Sequence, residues 1–239
     1  MRTLPKGCAL RPLVAVDLPA LMQLYAEVMA ALPDPRLFRL FGGPEAFFSS
    51  HWGQRGESFG VFLGARALAY GSLTRPQPSD ADNYAGNLQW PPERAGRVGL
   101  LSAGMVAPEQ RGQGLHVAVI QARLALAAEL GLPELLARAS PSNALSRQTL
   151  MEQGFAIAWL GVQGGGLLRH VFWRPCLAPA SLRAEAAITW VGPEEHGAQQ
   201  ACLAAGLLGL KLRRSDGAIG FGVSDSGPRP AHRASAAGH

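Results

Sequence analysis

Lysine is almost missing from this 239-residue chain: Lys6 and Lys211 are the only two, so arginine carries the excess of basic over acidic side chains, 22 against 17. The arginines are scattered and form no basic stripe interleaved with aromatics, which argues against a nucleic-acid partner. A genome rich in G and C gives the same preference for Arg over Lys and the same wealth of Ala and Gly, so a bacterial source is expected. Cysteine is scarce too. Cys8, Cys176 and Cys202 are far apart, odd in number and outside metal-ligand spacing, which predicts neither a disulfide framework nor a metal site. No apolar run approaches the roughly 18–20 residues that span a bilayer. The first six residues lack the long apolar segment of a secretory signal. These absences together predict a cytoplasmic protein with no membrane partner. At 48% hydrophobic and 16% charged, the chain can build one large core with a modest appendage.

Two familiar phosphate-binding signatures are also missing. A P-loop ends in Gly-Lys-Ser/Thr, and no Lys lies between Lys6 and Lys211; a dinucleotide fingerprint needs G-x-G-x-x-G, and only Gly112 and Gly114 are in place. What is present is Gln110-Arg111-Gly112-Gln113-Gly114-Leu115-His116, placed between an apolar run over residues 98–106 and a helix-patterned run over 117–130. A buried strand thus leads through Pro108 into a glycine-rich turn and a helix start. Glycines let backbone N–H groups turn inward, and the first helical N–H groups have no partner within the helix. With the helix dipole and an arginine added, such a turn suits a phosphate.

A second constellation follows. Leu135-Leu136-Ala137-Arg138-Ala139 reads as a short strand, then Pro141-Ser142-Asn143-Ala144-Leu145-Ser146 opens a helix that ends at Gly154-Phe155. Ser142 or Asn143 can cap that helix, Gly154 supplies a left-handed C-cap, and Phe155 begins the next strand. The strand ending Val-x-Pro, the Arg-x-x-Gly turn, the Asn and the closing Gly-Phe, in this order and spacing, resemble the GNAT superfamily of Gcn5-related N-acetyltransferases. His116 stands where that family usually has Gly or Ala. The resemblance covers roughly residues 8–175.

The resemblance implies an α+β (α/β) fold, with a central, mostly antiparallel mixed sheet splayed at the fourth strand and flanked by helices. It implies acetyl-CoA, or another acyl-CoA, as co-substrate. Backbone groups of Met105 and Val106 would pair with the pantetheine arm, the turn from Gln110 through Arg111, Gly112, Gln113 and Gly114 to Leu115 and His116 would hold the pyrophosphate, and Asn143 would bond the cofactor arm. The implied activity is acyl transfer to a primary amine of a small molecule or amino-acid-like acceptor. The alternative is a non-catalytic acyl-CoA sensor or scaffold. Many family members protonate the leaving thiolate with a Tyr four residues before the Gly-Phe pair; here that position is Leu150, which cannot donate. The catalytic groups therefore stay unassigned, with Ser146, Ser102 and His51 as candidates.

Along the rest of the chain, residues 9–13 read as a strand. Asp17 reads as the cap of a helix bearing Leu18, Leu21, Leu24, Tyr25, Val28 and Met29 on one face. The Pro- and Asp-rich stretch 74–96 is a long connection, expected to act as a lid whose Asp80 and Asp82 attract a cationic amine and whose Tyr84 and Trp90 contact the acceptor. The expected units are a main domain over residues 1–175, a small strand–helix–strand extension over 182–224 that packs on the main domain or a second subunit, and a disordered tail over 225–239. A homodimer with acceptor sites between subunits is a further expectation.

Overall fold

The computed structural model describes residues 4–225 except 39, 41, 54, 165, 182 and 184–186; the expected tail lies, from residue 226 on, outside the described residues. Strand β1 (Cys8–Pro12) leads to helices α1 (Leu18–Ala30) and α2 (Pro44–Ser49), then to strands β2 (Gly56–Leu63) and β3 (Arg66–Thr74). The short helix α3 (Pro92–Ala95) precedes β4 (Val98–Val106), α4 (Leu115–Glu129), β5 (Glu134–Ala139), α5 (Ala144–Glu152), β6 (Ala156–Gln163) and β7 (Leu167–Pro175). The C-terminal part adds β8 (Thr189–Val191), α6 (His196–Ala204), β9 (Leu208–Leu212) and β10 (Ile219–Gly222). Among the described residues all ten strands join one sheet in the order β1-β2-β3-β4-β5-β7-β6-β9-β10-β8. Among the described residues only β4 and β5 run parallel and the other pairs are antiparallel, so the sheet is mixed as the resemblance implies.

Alternation along the strands sends successive side chains to opposite faces. Leu135 and Ala137 of β5 and Phe172 of β7 meet Ile120 of α4 and Leu150 of α5 on one face. Leu136, Val171 and Trp173 meet Tyr84, Ala85 and Trp90 on the other. Residues 74–96 are thus an ordered cover with a buried apolar side, not a solvated loop. Asn83 fastens this cover: its Nδ2 donates to the carbonyls of Gln77 and Ala95, and its Oδ1 caps the turn at Ala85 N–H. Helix α1 sets Leu21, Leu24 and Val28 against Tyr70, Met105 and Phe48.

Asp17 does precede α1, but its side chain does not cap that helix. Its carboxylate instead accepts from Val14 N–H at 3.0 Å and grips Arg11 through two bonds of 2.7 and 2.8 Å, tying the start of α1 to β1.

One irregularity shapes the centre. The β3–β4 register shifts between Tyr70 and Ser72, and Ala103 on β4 takes a positive φ of 40°. Arg123 of α4 braces this bulge: it is buried at 2% exposure, and its Nη1 donates to the carbonyls of Ser72 and Ser102, each at 3.3 Å. A glycine at 71 makes the room, because a Cβ there would stand 2.7 Å from the guanidinium carbon.

The C-terminal strands close the far edge. Val191, Ile219 and Phe221 are buried in the same apolar cluster as Phe155, Ile157 and Phe172. Backbone pairing across this join is slight, a single Ile157–Gly209 bridge, so side-chain burial holds the extension in place. A polar contact adds to it: His170 Nε2 lies 2.9 Å from Gln199 Oε1 on α6. Among the described residues no helix is long and apolar enough to cross a membrane.

Candidate active site

The parallel ladder between β4 and β5 starts at Val98–Glu134 and ends at Leu101–Ala137. Beyond that rung β4 pairs only with β3 and β5 only with β7, so the two strands part and a cleft opens between their C-terminal ends. A cavity of about 100 Å³ occupies the fork. Ala103 and Gly104 of β4 wall it on one side, and Ala137, Arg138, Ala139 and Ser140 of β5 on the other. The α4–α5 face contributes His116, Arg123, Asn143, Ser146 and Leu150; the opposite face contributes Leu37, Phe38, Tyr84, Gln163, Leu167 and Arg169.

Next to the fork stands the N-terminus of α4. Gly114 is its N-cap residue at φ 80°, in the left-handed region that favours glycine, and no side chain caps the helix. Gly112 takes the same φ, and a Cβ added there would meet no atom within 4 Å. Arg111, Gly112 and Gln113 are exposed. The first intrahelical bond is donated by Ala118 to the Gly114 carbonyl. Gln110 and Arg111 donate their amides back to Ala107 and Pro108, but among the described residues the amides of Gly112, Gln113, Gly114 and Leu115 have no backbone acceptor and lie beside a helix dipole. That is the geometry of an anion cradle.

Asn143 caps α5: its Oδ1 accepts from Ser146 N–H at 3.0 Å while the residue lines the cavity. Gly154 ends α5 at φ 83°, in the left-handed conformation expected of it. Ser146 and Leu150 stand one turn apart on α5 and both line the cavity, so the wall holds an aliphatic side chain at position 150 and a hydroxyl residue at 146. Met105 puts its side chain in the core at 2% exposure, and Val106 is half-buried against a neighbouring cluster. Any role for this pair in the cleft thus falls to the backbone.

Five expected residues sit elsewhere. Ser102 directs its hydroxyl at β3, where it accepts from Thr74 Oγ1 at 3.0 Å, and does not line the cavity. His51 is buried under Phe47, with Nδ1 2.6 Å from the Phe47 carbonyl, and lies outside the cavity wall. Burial depresses its pKa, and Arg55 lowers it further against the Phe47 carbonyl's opposing pull. Trp90 is a core residue beneath the guanidinium of Arg94, 3.7 Å from the ring centroid, while Tyr84 does reach the cavity. Asp80 and Asp82 are engaged by Arg55 and do not line the cavity.

His116 belongs to the glycine-rich turn in sequence, yet its imidazole folds back over β4. A Cβ at Gly104 would stand 2.6 Å from its Nε2. Burial, helped by the charge of Arg123, pushes its pKa down to about 4, so the ring lining the cavity is neutral at pH 7. Arg123 is likewise lowered to about 10 by burial, and stays charged. Neither Arg123 nor Arg169 stood out in the sequence. A buried Arg is unusual by residue type, but only the register of its strand or helix shows that it points inward.

No family model and no curated protein matches the chain. Solved structures do. The ribosomal-protein-S18-alanine N-acetyltransferase from Escherichia coli superposes with a TM-score of 0.52 at 18% identity, over 74% of this chain and 97% of that one. A GCN5-related N-acetyltransferase from Kribbella flavida gives 0.53 at 18%, over 72% and 99%. A GNAT superfamily phosphinothricin acetyltransferase from Sinorhizobium meliloti, solved in complex with AcCoA, gives 0.54 at 19%, over 71% and 88%.

The fold is the GNAT fold. At these identities the likeness establishes architecture, and the GNAT portion takes up about three quarters of the chain. The forked β4–β5 pair and the glycine-rich start of α4 both belong to this GNAT-fold portion.

Proposed function

We propose that the chain is an acyl-CoA-dependent N-acyltransferase, with acetyl-CoA as donor and the primary amine of a small molecule or amino-acid-like compound as acceptor. The observation that carries the reading is the junction of two features at one place. An uncapped, glycine-rich helix start suits a pyrophosphate, and it opens onto a strand fork whose unpaired edge suits an amide-bearing arm. The open space above Gly112 and the left-handed turn at Gly114 fit such a group. In this reading the amides of residues 112–115 hold the pyrophosphate beside the Arg111 side chain, the edge of β4 at Met105 and Val106 pairs with the pantetheine, and Asn143 bonds the same arm.

The bound donor supplies a thioester carbon open to attack by an amine. The protein's own residues orient the reactants in the fork and exclude water with Leu101, Ala137 and Leu150. Neutral His116 can donate one hydrogen bond from a ring N–H, and Ser146 another from its hydroxyl, toward charge developing at the fork. The low pKa of His116 makes it a poor base at pH 7, so the ring acts as a fixed dipole.

A second reading, a non-catalytic acyl-CoA sensor, is favoured by one observation: Leu150 is an aliphatic wall, and among the described residues no carboxylate lines the cavity. Calorimetry with CoA, followed by thiol release from acetyl-CoA over a panel of amines, separates the readings. Turnover with any amine supports the transferase, and tight binding without turnover supports the sensor. No CoA binding removes both.

A further inference from the structure

The cavity wall has charge of one sign. Arg123, Arg138 and Arg169 line it, and among the described residues no Asp or Glu does. Arg123 is absorbed by the bulge, whose carbonyls it braces. The other two lie on the opposite face, where an acceptor would enter. Alternation from Leu136 puts Arg138 there, and alternation from Val171 puts Arg169 there, with Arg138 paired to Val171 across the ladder. The guanidinium of Arg138 lies 4.7 Å from the ring centroid of Tyr84 and donates to Gln163 Oε1 at 3.0 Å. Gln163 in turn donates to Asn87 on the cover segment at 2.7 Å, so Arg138 is held in orientation.

Arg169 is 7% exposed and donates to two carbonyls, Leu168 at 2.9 Å and Arg36 at 2.6 Å. Its pKa is lowered, first by burial and then by the charge of Arg138, so the two cations face the same space. The carboxylate that acts on it, Asp34, is forked onto Arg36. Arg174 is another buried arginine held by carbonyls, but it lies away from the cavity and serves as a clamp. What sets the Arg138–Arg169 pair apart is that two like charges meet at the wall of a cavity. Two cations at one cavity wall favour an anion between them, which gains charge-assisted hydrogen bonds there.

We propose that Arg138 and Arg169 bind a carboxylate of the substrate, so that the acceptor is an amino acid or another aminocarboxylate whose amine points into the β4–β5 fork. The proposal rests on the transferase reading for the fate of the amine, though not for the binding of the carboxylate. It also addresses the want of a general base. A positive field at the site lowers the pKa of an acceptor ammonium and favours the neutral nucleophile. In the step the amine nitrogen bonds the acyl carbon and the C–S bond breaks. The amine's proton passes to water, and the departing sulfur is protonated to the free thiol.

The same chemistry would serve a carboxylate on the acyl group, so the test has two arms. Twenty N-acetyl-amino acids and their carboxamides are titrated into the protein, with and without CoA, and the rise in Tm gives the affinity. Amino acids and amino amides are then compared as acceptors with acetyl-CoA, and succinyl-CoA is compared with acetyl-CoA on the amides. Expected is an acid bound about ten- to a hundredfold more tightly than its amide. That preference should fall to about threefold or less in Arg169→Met and in Arg138→Leu, with the affinity for the amide unchanged in each. Arg169→Lys should keep part of it. Preference for succinyl-CoA with an amide acceptor, lost in the same variants, would keep the carboxylate site but move it to the donor. Acids and amides bound alike would overturn the proposal. Selective acid binding without turnover would instead count against the transferase reading alone.

Discussion

The imidazole of His116 and the backbone of Gly104 are matched to each other: a methyl group at position 104 would stand 2.6 Å from Nε2. The ring has swung from the glycine-rich turn onto the strand, where it becomes cavity wall. Gly104→Ala must therefore turn the ring out of the fork or push the strand away. We expect the variant to fold, with CoA affinity within about threefold of the parent. Thiol release should fall at least tenfold, about 1.4 kcal/mol of transition-state stabilisation. His116→Ala should give the same loss. Unchanged turnover in both would show that the ring has no part in the reaction.

Gly114 tests the cradle itself. Its φ of 80° is costly for any residue with a Cβ, and a carboxylate there would face the phosphate it is meant to exclude. Calorimetry on Gly114→Glu should show CoA affinity reduced by a hundredfold or more, while Gly114→Ala loses far less. Equal CoA affinity in Gly114→Glu and the parent would place the donor somewhere other than the start of α4.

Much of this arrangement was legible in the sequence, and the exceptions have physical causes. The boundaries of β4 follow directly from its apolar run, and the Asn143 cap and Gly154 turn follow from residue types with few other uses. Ser102 stood out only as the hydroxyl of this strand, and its engagement by Thr74 follows from the β3–β4 register, which residue type does not announce. Trp90 was misread because a Pro- and Asp-rich stretch resembles a solvated loop, whereas its aromatics cover the sheet. The cationic lining was invisible for a related reason: Arg138 and Arg169 are 31 positions apart and meet only through the β5–β7 register.

His170 ties stability to pH. It is fully buried, and Gln199 commits its own amide nitrogen to the carbonyls of Gly192 and Pro193, so its Oε1 must accept from a protonated Nε2 of His170. Nδ1 is then the bare nitrogen, buried without a partner among the described residues. Burial is the main cause that lowers the pKa to about 4, against the usual 6.5. The unfolded chain binds the proton first as pH falls, so this contribution is whole above about pH 6.5 and is lost as pH drops toward 4. The size is roughly 3 kcal/mol, and His116 adds to the same slope. Urea midpoints should fall steadily from pH 7.5 to pH 4.5, and His170→Gln should flatten that fall. A parent midpoint independent of pH over this range would contradict the buried neutral imidazole.

The C-terminal strands should behave as part of the core. Phe221 is fully buried with Ile157 and Phe172, although the backbone link to β6 is a single bridge. Phe221→Ala should cost about 3–5 kcal/mol in a single cooperative unfolding transition. Were the extension an independent appendage, the same variant would instead split the transition and leave the larger step in place.

The wall of α5 offers the most direct test of proton supply. Ser146 and Leu150 line the cavity one turn apart, and Ser146 is the hydroxyl residue of the pair. If the thiolate draws on that hydroxyl, Ser146→Ala should lower kcat about tenfold with little change in CoA affinity. Leu150→Tyr, added to that variant, places a phenol on the same wall. It should recover most of the lost kcat, at some cost in Tm from crowding a site that is now 4% exposed. The order of effects decides the matter. A Ser146→Ala variant with parental kcat would shift proton supply to solvent, and a double variant no faster than Ser146→Ala would show that position 150 does not face the reacting sulfur.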